Sequence, residues 1–524
     1  MSSILLAILI LMILFYLKFI RPADYWRKRR VFHVSAVRNF LKVVLSRKSL
    51  FEISLDSYRD YPDRRFYGSY QLFAPSLVVR DLDLIKQITI KDFDYFTDHF
   101  TFFNEKTDPI LGQNLFELKG EKWKDMRSTL SPAFTSSKMK GMFPFIQETA
   151  EKFTNHFYNL PEDVIDMDIK IEFSKFSNDV IATCAFGIEC DTLKNEDNDF
   201  FAMGHQVANP TIRTRFKLFL GMLLPKLYQS LNVPIFPQNI ISFFQNLVKS
   251  NMDYREKHKV FRPDMIHLLM EAKYGQLKHD NETSEQDTGY ATVQESYIGK
   301  SIRKIKLTDD LITAQALVFF IAGFDTTSNV MCFLAHQLAI DEEVQNKLQA
   351  EVDEVMSRCN GIISYEEILN MKYLDQVISE VLRRYPPGYA LLRVCVENYK
   401  IEAFKRSEKS FVLEKGTIVN LPIVGIHMDP ILFPDPEKFD PERFSEENKR
   451  KIVPGSFMPF GSGPRNCIGS RFALLESKAL IVSILSKFTI VPNKKTKVPL
   501  RLSKQIVLTS KDGFWLSFKK RRHL

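Results

Sequence analysis

The spacing of hydrophobic residues along the chain predicts a mainly helical protein. Apolar side chains recur at helical spacing in residues 307–340 and again in residues 468–488, and neither segment contains proline. Each segment therefore predicts one long helix. Helical spacing also dominates between residues 91 and 385, apart from a polar stretch at residues 276–304 that predicts a mobile surface loop.

A smaller part of the chain predicts β-structure. Residues 66–90 mix aromatic and β-branched residues, which is typical of strands. Residues 386–465 are rich in proline, glycine and aromatic residues and predict loops with short strands, and the chain from residue 489 predicts a terminal hairpin. The predicted fold class is therefore mainly α with a small β-rich region.

The N-terminal residues predict a membrane anchor. Residues 4–17 form an unbroken apolar run, which is shorter than the roughly 20 residues that a spanning helix needs, although Ser2, Ser3 and a snorkelling Lys18 extend it. The basic residues that follow place this side of the anchor in the cytoplasm. A small-residue cleavage site is not evident, which favours an uncleaved anchor over a secretory peptide. We divide the chain into an anchor at 1–20, a basic tether at 21–50 and a catalytic domain at 51–524.

Composition and charge narrow the class of protein. The six cysteines are scattered without a CxxC pair, which argues against both a disulfide framework and a zinc knuckle. A net charge of +9 is compatible with nucleic acid, an anionic membrane surface or an acidic protein partner. No basic stripe or nucleic-acid motif occurs, so we expect a membrane or an acidic protein rather than nucleic acid.

The clearest chemical signal is a segment with one cysteine. In residues 460–469, FGSGPRNCIG, Cys467 lies between a glycine-rich loop and the predicted helix 468–488. The positive end of a helix dipole favours a thiolate there, and Gly463 and Gly469 leave room for a flat ligand. A lone thiolate facing a flat cofactor suggests axial ligation of haem iron. The cysteine by itself would more often be a small buried hydrophobic residue.

The centre of the predicted helix 307–340 conflicts with ordinary helix preferences. Residues 322–327, AGFDTT, combine glycine, aspartate and threonine, although glycine costs about 1 kcal/mol relative to alanine and a buried carboxylate must be paired or hydrated. Such conflicts mark functional sites. Gly323 is expected to open space, and Asp325 with Thr326 can relay protons from water. The alternative interpretation is a helix with a polar face toward solvent.

Together these motifs resemble those of the cytochrome P450 family, the haem-thiolate monooxygenases. The family pattern Phe-x-x-Gly-x-Arg-x-Cys-x-Gly is matched at every fixed position between Phe460 and Gly469, and residues 322–327 match the family's oxygen-activating helix. Further matches are the Trp-x-x-x-Arg pair Trp123/Arg127, the Glu-x-x-Arg pair Glu380/Arg383, and residues 441–444. The chain looks most like microsomal members, particularly insect detoxification enzymes.

The resemblance implies haem b as the cofactor and assigns residues to it. Cys467 is implied as the metal ligand, and the implied cofactor-binding residues are Trp123, Arg127, Arg393, Phe460, Arg465 and Cys467. Asp325 and Thr326 are the implied catalytic residues, which govern proton delivery. A structural ion network behind the haem is implied for Glu380, Arg383 and Arg443, whereas His427 is left outside the site.

The implied function is a monooxygenase anchored on the cytoplasmic face of the endoplasmic reticulum membrane. It inserts one atom of molecular oxygen into apolar substrates, either xenobiotics or endogenous lipids. Electrons are expected from an NADPH-dependent flavoprotein reductase, with cytochrome b5 as a further donor, because no nucleotide-binding glycine motif is visible. Candidate contacts for the reductase are Lys124, Lys138, Lys140 and residues 449–451.

The substrate pocket is implied only by class, and two other functions stay open. The resemblance suggests Phe100, Phe102, Phe103, Phe319 and Leu392 as lining residues, and residues 213–244 as a lid that dips into the membrane; ordinary core helices are the alternative for the lid. One rival function is a peroxide-using isomerase or dehydratase, against which the intact Asp325–Thr326 pair argues. The other is a non-catalytic haem-binding or gas-sensing membrane protein.

Overall fold

The computed structural model describes residues 24–71, 74–101, 103, 105–195, 198–224, 228, 230–231, 233–275, 289–293, 305–404 and 408–522. The anchor predicted at residues 1–20 lies outside the described residues, as does most of the polar loop predicted at 276–304. The described part is mainly helical with small sheets, which confirms the predicted fold class.

The α-helices follow one another through most of the chain. In chain order the described helices are α1 Tyr25–Lys28, α2 Ala36–Leu45, α3 Leu50–Arg59, α4 Leu82–Lys86, α5 Gly120–Leu130, α6 Ser136–Tyr158, α7 Ile169–Ile181, α8 Asp199–Ala208, α9 Ile212–Leu223, α10 Gln238–His258, α11 Met265–Lys273, α12 Asp309–Ile340, α13 Glu342–Arg358, α14 Tyr365–Asn370, α15 Lys372–Arg384, α16 Ile423–His427 and α17 Ser470–Lys487. Short 3₁₀ or π segments extend or link several of them.

The described strands form three small sheets. They are β1 Phe66–Gln71, β2 Ala74–Val79, β3 Asp98–His99, β4 Val164–Asp168, β5 Leu391–Val394, β6 Tyr399–Ile401, β7 Phe411–Leu413, β8 Ile418–Leu421, β9 Phe488–Pro492 and β10 Trp515–Lys520. The sheet orders are β1-β2-β8-β5-β3, β4-β10-β9 and β6-β7. The β2–β8 pair is parallel and the other pairs are antiparallel. The antiparallel β9–β10 pair confirms the predicted C-terminal hairpin.

The strand prediction for residues 66–90 is correct only up to Val79. Beyond that point the chain turns into α4 and a π-helical segment, Gln87–Lys91. The reason is local, because the Asp81 carboxylate accepts a hydrogen bond from the N–H of Leu84 at 2.9 Å and caps the new helix. Apolar and β-branched composition alone does not separate a short buried helix from a strand.

The segment predicted as a basic tether contacts the rest of the described protein from residue 24 onward. Trp26 is fully buried, and its indole N–H donates to the carbonyl oxygen of Ser69 at 2.9 Å. A Cβ atom on Gly68 would lie only 2.4 Å from the indole, so this glycine lets the two segments touch. The start of this segment therefore packs against the sheet that contains β1.

Helix α12 is the central element of the fold. It begins after Thr308, whose side chain accepts from the N–H of Leu311 at 3.2 Å, and its second half is buried almost without interruption. It packs against α7, α10 and α17. Among the described residues this is the one helix long and apolar enough to span a membrane, and most of it is buried inside the protein.

A buried ion network joins α15 to the loop that precedes Cys467. Arg383 and Glu380 are fully buried and share two hydrogen bonds of 2.7 and 2.8 Å, while Arg443 lies 3.5 Å from the same carboxylate. Arg383 also donates to the carbonyl oxygen of His427 at 2.8 Å. The His427 ring donates to the Arg383 carbonyl and accepts from the N–H of Met458. Burial and the Arg383 charge lower the pKa of His427 to about 3, so the ring is neutral.

Helix α17 carries an unusual buried acid. Glu476 is fully buried and accepts a hydrogen bond from the hydroxyl of Ser177, on α7, at 2.7 Å. Its second carboxyl oxygen has no hydrogen-bond partner. Burial raises the pKa of Glu476 to about 8, so the group holds its proton at neutral pH.

This raised pKa predicts a pH-dependent stability. Because the folded state retains a proton that the unfolded chain releases near 4.5, the Glu476 contribution to stability is lost as pH rises from about 4.5 through 8. Glu476→Gln is expected to match the wild type at pH 5 and to exceed its stability by a few kcal/mol at pH 9, since one pKa unit corresponds to about 1.4 kcal/mol. Thermal unfolding at both pH values measures this difference, with the exposed Glu354→Gln as control. Parallel pH curves for wild type and Glu476→Gln would contradict it.

Candidate functional site

The cysteine loop presents an accessible thiol on a buried support. The N–H of Cys467 donates to the Phe460 carbonyl at 2.9 Å, and the N–H of Asn466 donates to Gly463 at 2.9 Å. Arg465 and Asn466 are buried, whereas Cys467 is exposed. Helix α17 begins three residues later at Ser470. The thiol therefore lies just before a helix N-terminus, where the helix dipole favours the thiolate.

The two glycines that flank the cysteine have different roles. Gly463 has φ +72°, and a Cβ there would lie 1.8 Å from the carbonyl oxygen of Thr89. Glycine is required at position 463 because of this backbone contact and the left-handed conformation, and not because a ligand needs room there. A Cβ atom on Gly469 would have no heavy atom of the described neighbouring residues within 4 Å. The room that the sequence analysis expected for a flat ligand is thus present only at Gly469.

Three predicted cofactor-binding arginines come together around this loop. Arg127 lies on α5, Arg393 on β5 and Arg465 in the loop itself, and all three are buried. Burial, together with the nearby charges of Arg393 and Arg127, lowers the pKa of Arg465 to about 8, and burial alone lowers that of Arg393 to about 10. A buried cluster of like charges is costly unless an anion joins it. The cluster therefore has the properties of an anion-binding site.

The donors of two of these arginines are directed partly at the protein. Arg465 donates to the carbonyl oxygens of Thr97 at 2.7 Å, Leu115 at 3.2 Å and Leu118 at 2.5 Å, and its guanidinium lies 4.1 Å from the centre of the Trp123 ring. Trp123 is fully buried, so it supports the arginine from α5. Arg127 donates to the carbonyl and side-chain oxygens of Asn466 at 3.0 and 2.8 Å, which ties α5 to the cysteine loop.

Arg393 and a histidine supply unfilled donors in this cluster. Among the described residues, no hydrogen-bond partner lies near the buried Nε and Nη2 atoms of Arg393 or the buried Nδ1 atom of His99. His99 lies directly opposite Arg393 in the β3–β5 pair. Burial, followed by the charges of Arg393 and Arg465, holds the pKa of His99 well below its usual range. Buried donors without partners fit the two carboxylates of a haem, because such groups otherwise pay the full desolvation cost.

Sequence reasoning missed His99. No motif contains it, and its relation to Arg393 exists only because β3 and β5 pair across almost 300 residues of chain. Its short Thr-Asp-His context resembles many surface turns. No signal in the sequence alone could have separated it from the other histidines.

The helix centre faces the same region as the cysteine loop. The Thr326 hydroxyl donates a hydrogen bond to the carbonyl of Ala322, and Ala322 is exposed on a helix that is otherwise mostly buried. Thr326 and Phe460 line one cavity. The structure therefore brings the predicted catalytic threonine and the start of the cysteine loop to a common space.

Asp325 is paired with a residue that the sequence analysis did not consider. Its carboxylate accepts from the Nζ of Lys170, on α7, at 2.7 Å and from the Asn329 amide at 3.1 Å. Lys170 also donates to the Ser328 hydroxyl at 2.8 Å. Neighbouring Gly323 does not open a void, since a Cβ there would lie 3.0 Å from Ile181 of α7. This glycine leaves room for the Ile181 side chain at the C-terminal end of α7.

The predicted pocket residues are placed on several elements. Phe103 stacks on Phe236 at 6.0 Å, and Phe319 makes an edge contact with Phe134 at 5.2 Å. Leu392 lies on β5 beside Arg393, and Phe102 lies outside the described residues. Two exposed apolar side chains of the predicted lid, Phe216 and Phe219, lie on α9. The side chain of Ile212, the first residue of this helix, is also exposed.

Three of the six predicted reductase contacts have acidic neighbours. Lys124 forms ion pairs with Asp94 and Glu121, and Lys140 pairs with Glu366. Within residues 449–451, Lys449 pairs with Glu446 at 2.7 Å. These pairs are solvent-exposed and individually weak, so an incoming acidic surface can compete for the same cations.

Comparisons with known proteins agree with this site. The sequence model of the family described as Cytochrome P450 matches residues 39–518. The chain is 43% identical to Cytochrome P450 9e2 of Blattella germanica over 95% of this chain and 94% of the relative. It is 38% identical to Probable cytochrome P450 9f2 of Drosophila melanogaster over 95% of both chains, and 34% identical to Cytochrome P450 6k1 of Blattella germanica over 96% and 94%.

Members of this family are haem-dependent monooxygenases whose haem b takes a cysteine thiolate as axial ligand. The match spans the cysteine loop, the arginine cluster and the helix centre described above. The chain therefore belongs to the cytochrome P450 family and is a haem-dependent monooxygenase of the type found in insects.

Proposed function

We propose that this protein is a membrane-bound monooxygenase that inserts one atom of molecular oxygen into apolar xenobiotics or endogenous lipids, with electrons from an NADPH-dependent flavoprotein reductase. The observation that carries the proposal is the exposed thiol of Cys467 beside a buried cluster of arginines with unfilled donors. A thiolate and a carboxylate-binding cluster in one place match the two demands of a haem.

In this proposal Cys467 is the axial ligand, and Phe460 and Trp123 form apolar support around the loop and the arginines. Arg393 and His99 donate to the haem carboxylates from β5 and β3, with Arg127 and Arg465 adding positive charge. When bound, the haem supplies the activation of molecular oxygen. The protein supplies the anionic ligand, the orientation and a water-restricted cavity.

Thr326 and Asp325 act as the proton-handling pair. The Thr326 hydroxyl lies at the cavity, where it can hold a water molecule after releasing its bond to Ala322. Asp325 is held by Lys170 and Asn329 on the other side of the helix. A carboxylate paired with a partly exposed lysine can exchange protons with solvent and pass them toward Thr326.

The electron donor and the membrane are inferred from charge and apolar surface. The half-buried Lys124 and Lys138, the exposed Lys140 and the basic run 449–451 suit an acidic flavoprotein, or cytochrome b5, by complementary charge. The anchor predicted at residues 1–20 and the exposed apolar side chains of α9 suit the cytoplasmic face of the endoplasmic reticulum membrane. Apolar substrates could then enter from the lipid phase near α9.

Cys467→Ala tests the ligand assignment. We expect the variant to lose the carbon monoxide difference spectrum that is typical of thiolate-ligated haem, while the apoprotein keeps its helical content. The matched control is Cys359→Ala, because Cys359 is a half-buried free cysteine at the end of α13. If Cys467→Ala retains the wild-type thiolate spectrum, the assignment is wrong.

Thr326→Ala is expected to uncouple the reaction rather than stop it. Without the hydroxyl, protons are misdirected, so the ratio of product to NADPH should fall by roughly tenfold and hydrogen peroxide should rise. The measurement follows NADPH, peroxide and product together in a system reconstituted with reductase.

Thr313→Ala provides the control for this experiment. Thr313 lies on the same helix and donates to the carbonyl four residues before it at 2.9 Å, as Thr326 does, but it lies three turns away. An unchanged product ratio in Thr326→Ala would show that the threonine is only a helix residue. Turnover with peroxide alone and no dependence on NADPH would instead indicate an isomerase or dehydratase, and no turnover at all a haem-binding sensor.

Removal of residues 1–19 tests the membrane proposal. We expect the shortened protein to bind haem normally, because the described fold begins at residue 24, and to bind membranes more weakly but not to be fully released. Residual binding would come from the exposed apolar residues of α9. Sedimentation with vesicles measures the difference, with Phe216→Ser in the shortened protein as the second step. Loss of the haem on truncation would contradict the proposal.

A further inference from the structure

A buried glutamine lies on α12 about three turns before the predicted catalytic residues. Gln315 is fully buried, and both ends of its amide are used. Its Oε1 accepts from the N–H of Leu115 at 2.8 Å, and its Nε2 donates to the carbonyl of Gln113 at 3.0 Å. A buried amide on an apolar helix needs such partners to offset its desolvation. Gln315 therefore fixes a loop that lies 200 residues earlier in the chain.

The same loop holds Arg465 on its other side. The N–H of Leu115 donates to Gln315, and the carbonyl oxygen of the same residue, on the next peptide group, accepts from Arg465 Nη1 at 3.2 Å. The Leu118 carbonyl accepts from Nη2 of the same arginine at 2.5 Å. One backbone segment thus separates the central helix from the arginine that precedes Cys467 by two residues.

The link from Gln315 to Arg465 matters because both a charge and backbone polar groups are buried there. The Arg465 guanidinium is buried, and the carbonyl oxygens of Thr97, Leu115 and Leu118 that accept from it offset part of the cost of burying its charge. The carbonyl of Leu115 stays in place only if its N–H remains satisfied, since a buried unpaired peptide is expensive. Breaking the Gln315 contact frees the segment and lets the guanidinium shift.

We propose that Gln315 is a positioning residue that fixes the Leu115 peptide and, through it, orients the Arg465 guanidinium in the haem-binding site. The inference rests on the proposed role of Arg465 beside the haem carboxylates. Gln315 contacts the backbone of residues 113 and 115, and its influence on Arg465 passes through the Leu115 backbone, whose N–H and carbonyl oxygen lie on consecutive peptide groups.

The N-terminal part of the same segment, residues 103–108, contacts the predicted lid. The Asp108 carboxylate accepts from the N–H of Ile235 at 3.0 Å, and Phe103 stacks on Phe236. The segment therefore joins the lid region to Arg465, and Gln315 holds it at a point between the two. Movement at residues 235–236 is thereby kept from displacing the arginine.

The test compares Gln315→Met with Arg465→Lys and with the double variant. Methionine has nearly the shape of glutamine but cannot make the two hydrogen bonds. Haem transfer to an excess of an apoprotein acceptor gives the rate of haem loss, and spectroelectrochemistry gives the midpoint potential. We expect Gln315→Met to lose haem about fivefold faster, as suits one lost hydrogen bond to a backbone group. We also expect a lower midpoint potential, because a less ordered cation favours the reduced haem less.

The double variant decides whether Gln315 acts through Arg465. If it does, Gln315→Met has little further effect once Arg465 is lysine, so the two changes are strongly non-additive in both readouts. Additive effects would overturn the proposal. Because haem transfer and potential are measured on the loaded protein, a chain that never shows a thiolate-ligated haem spectrum would instead refute the proposed function.

Gln345→Met is the matched control. Gln345 is also buried on a helix, accepts from the N–H of Ile490 at 2.7 Å and donates to the carbonyls of Leu338 and Ile490, but on α13 away from the arginine cluster. It should lower thermal stability without changing the potential, and it should be additive with Arg465→Lys. An equal shift of potential in Gln345→Met would overturn the specific role of Gln315.

Gln315→Glu keeps the proposal testable if methionine prevents folding. At pH 6 a buried carboxyl is protonated, so it can accept from Leu115 and donate to Gln113 as the amide does. This variant should restore the wild-type potential and rate of haem loss. Failure to restore them in a folded protein would overturn the proposal.

Discussion

The structure depends above all on the burial of several positive charges next to one thiol. Arg127, Arg393 and Arg465 approach one another around the cysteine loop, and burial lowers the pKa values of the last two. Protein carbonyls from residues 97–118 compensate part of this charge. The remainder, including two unfilled donors of Arg393, requires an anionic ligand. In the proposed function, the haem carboxylates would supply this anion and complete the neutralisation of the site.

Behind this cluster, a buried ion pair and the hydrogen bonds that extend from it fix the position of the loop that precedes Cys467. Glu380 and Arg383 are fully buried, and removing either would leave the other as an unpaired charge. Arg383 is joined to His427, which receives the N–H of Met458 two residues before Phe460. His427 must be neutral for its Nε2 atom to accept the hydrogen bond from the N–H of Met458. The position of the thiol thus depends on a chain of contacts that begins on α15.

Helix α12 combines support and chemistry along one axis. Its first half holds the 113–115 loop through Gln315, its centre carries the Thr326 hydroxyl toward the cavity, and Asp325 turns away to Lys170. Gly323 leaves room for the side chain of Ile181 on α7. The polar residues of this helix therefore have separate partners and separate roles. A mainly apolar helix tolerates them because each has hydrogen-bond partners.

The sequence by itself determined the long helices, the terminal hairpin and the family motifs, because periodicity and short spacings are local properties of the chain. It indicated Cys467 and Thr326, whose motifs are contiguous, but gave strands where Asp81 starts a helix. Only the tertiary structure brought His99 to Arg393, Lys170 to Asp325 and Gln315 to Leu115. These partners lie on different elements, and which side chains meet is decided by the packing of helices and strands that no local pattern encodes.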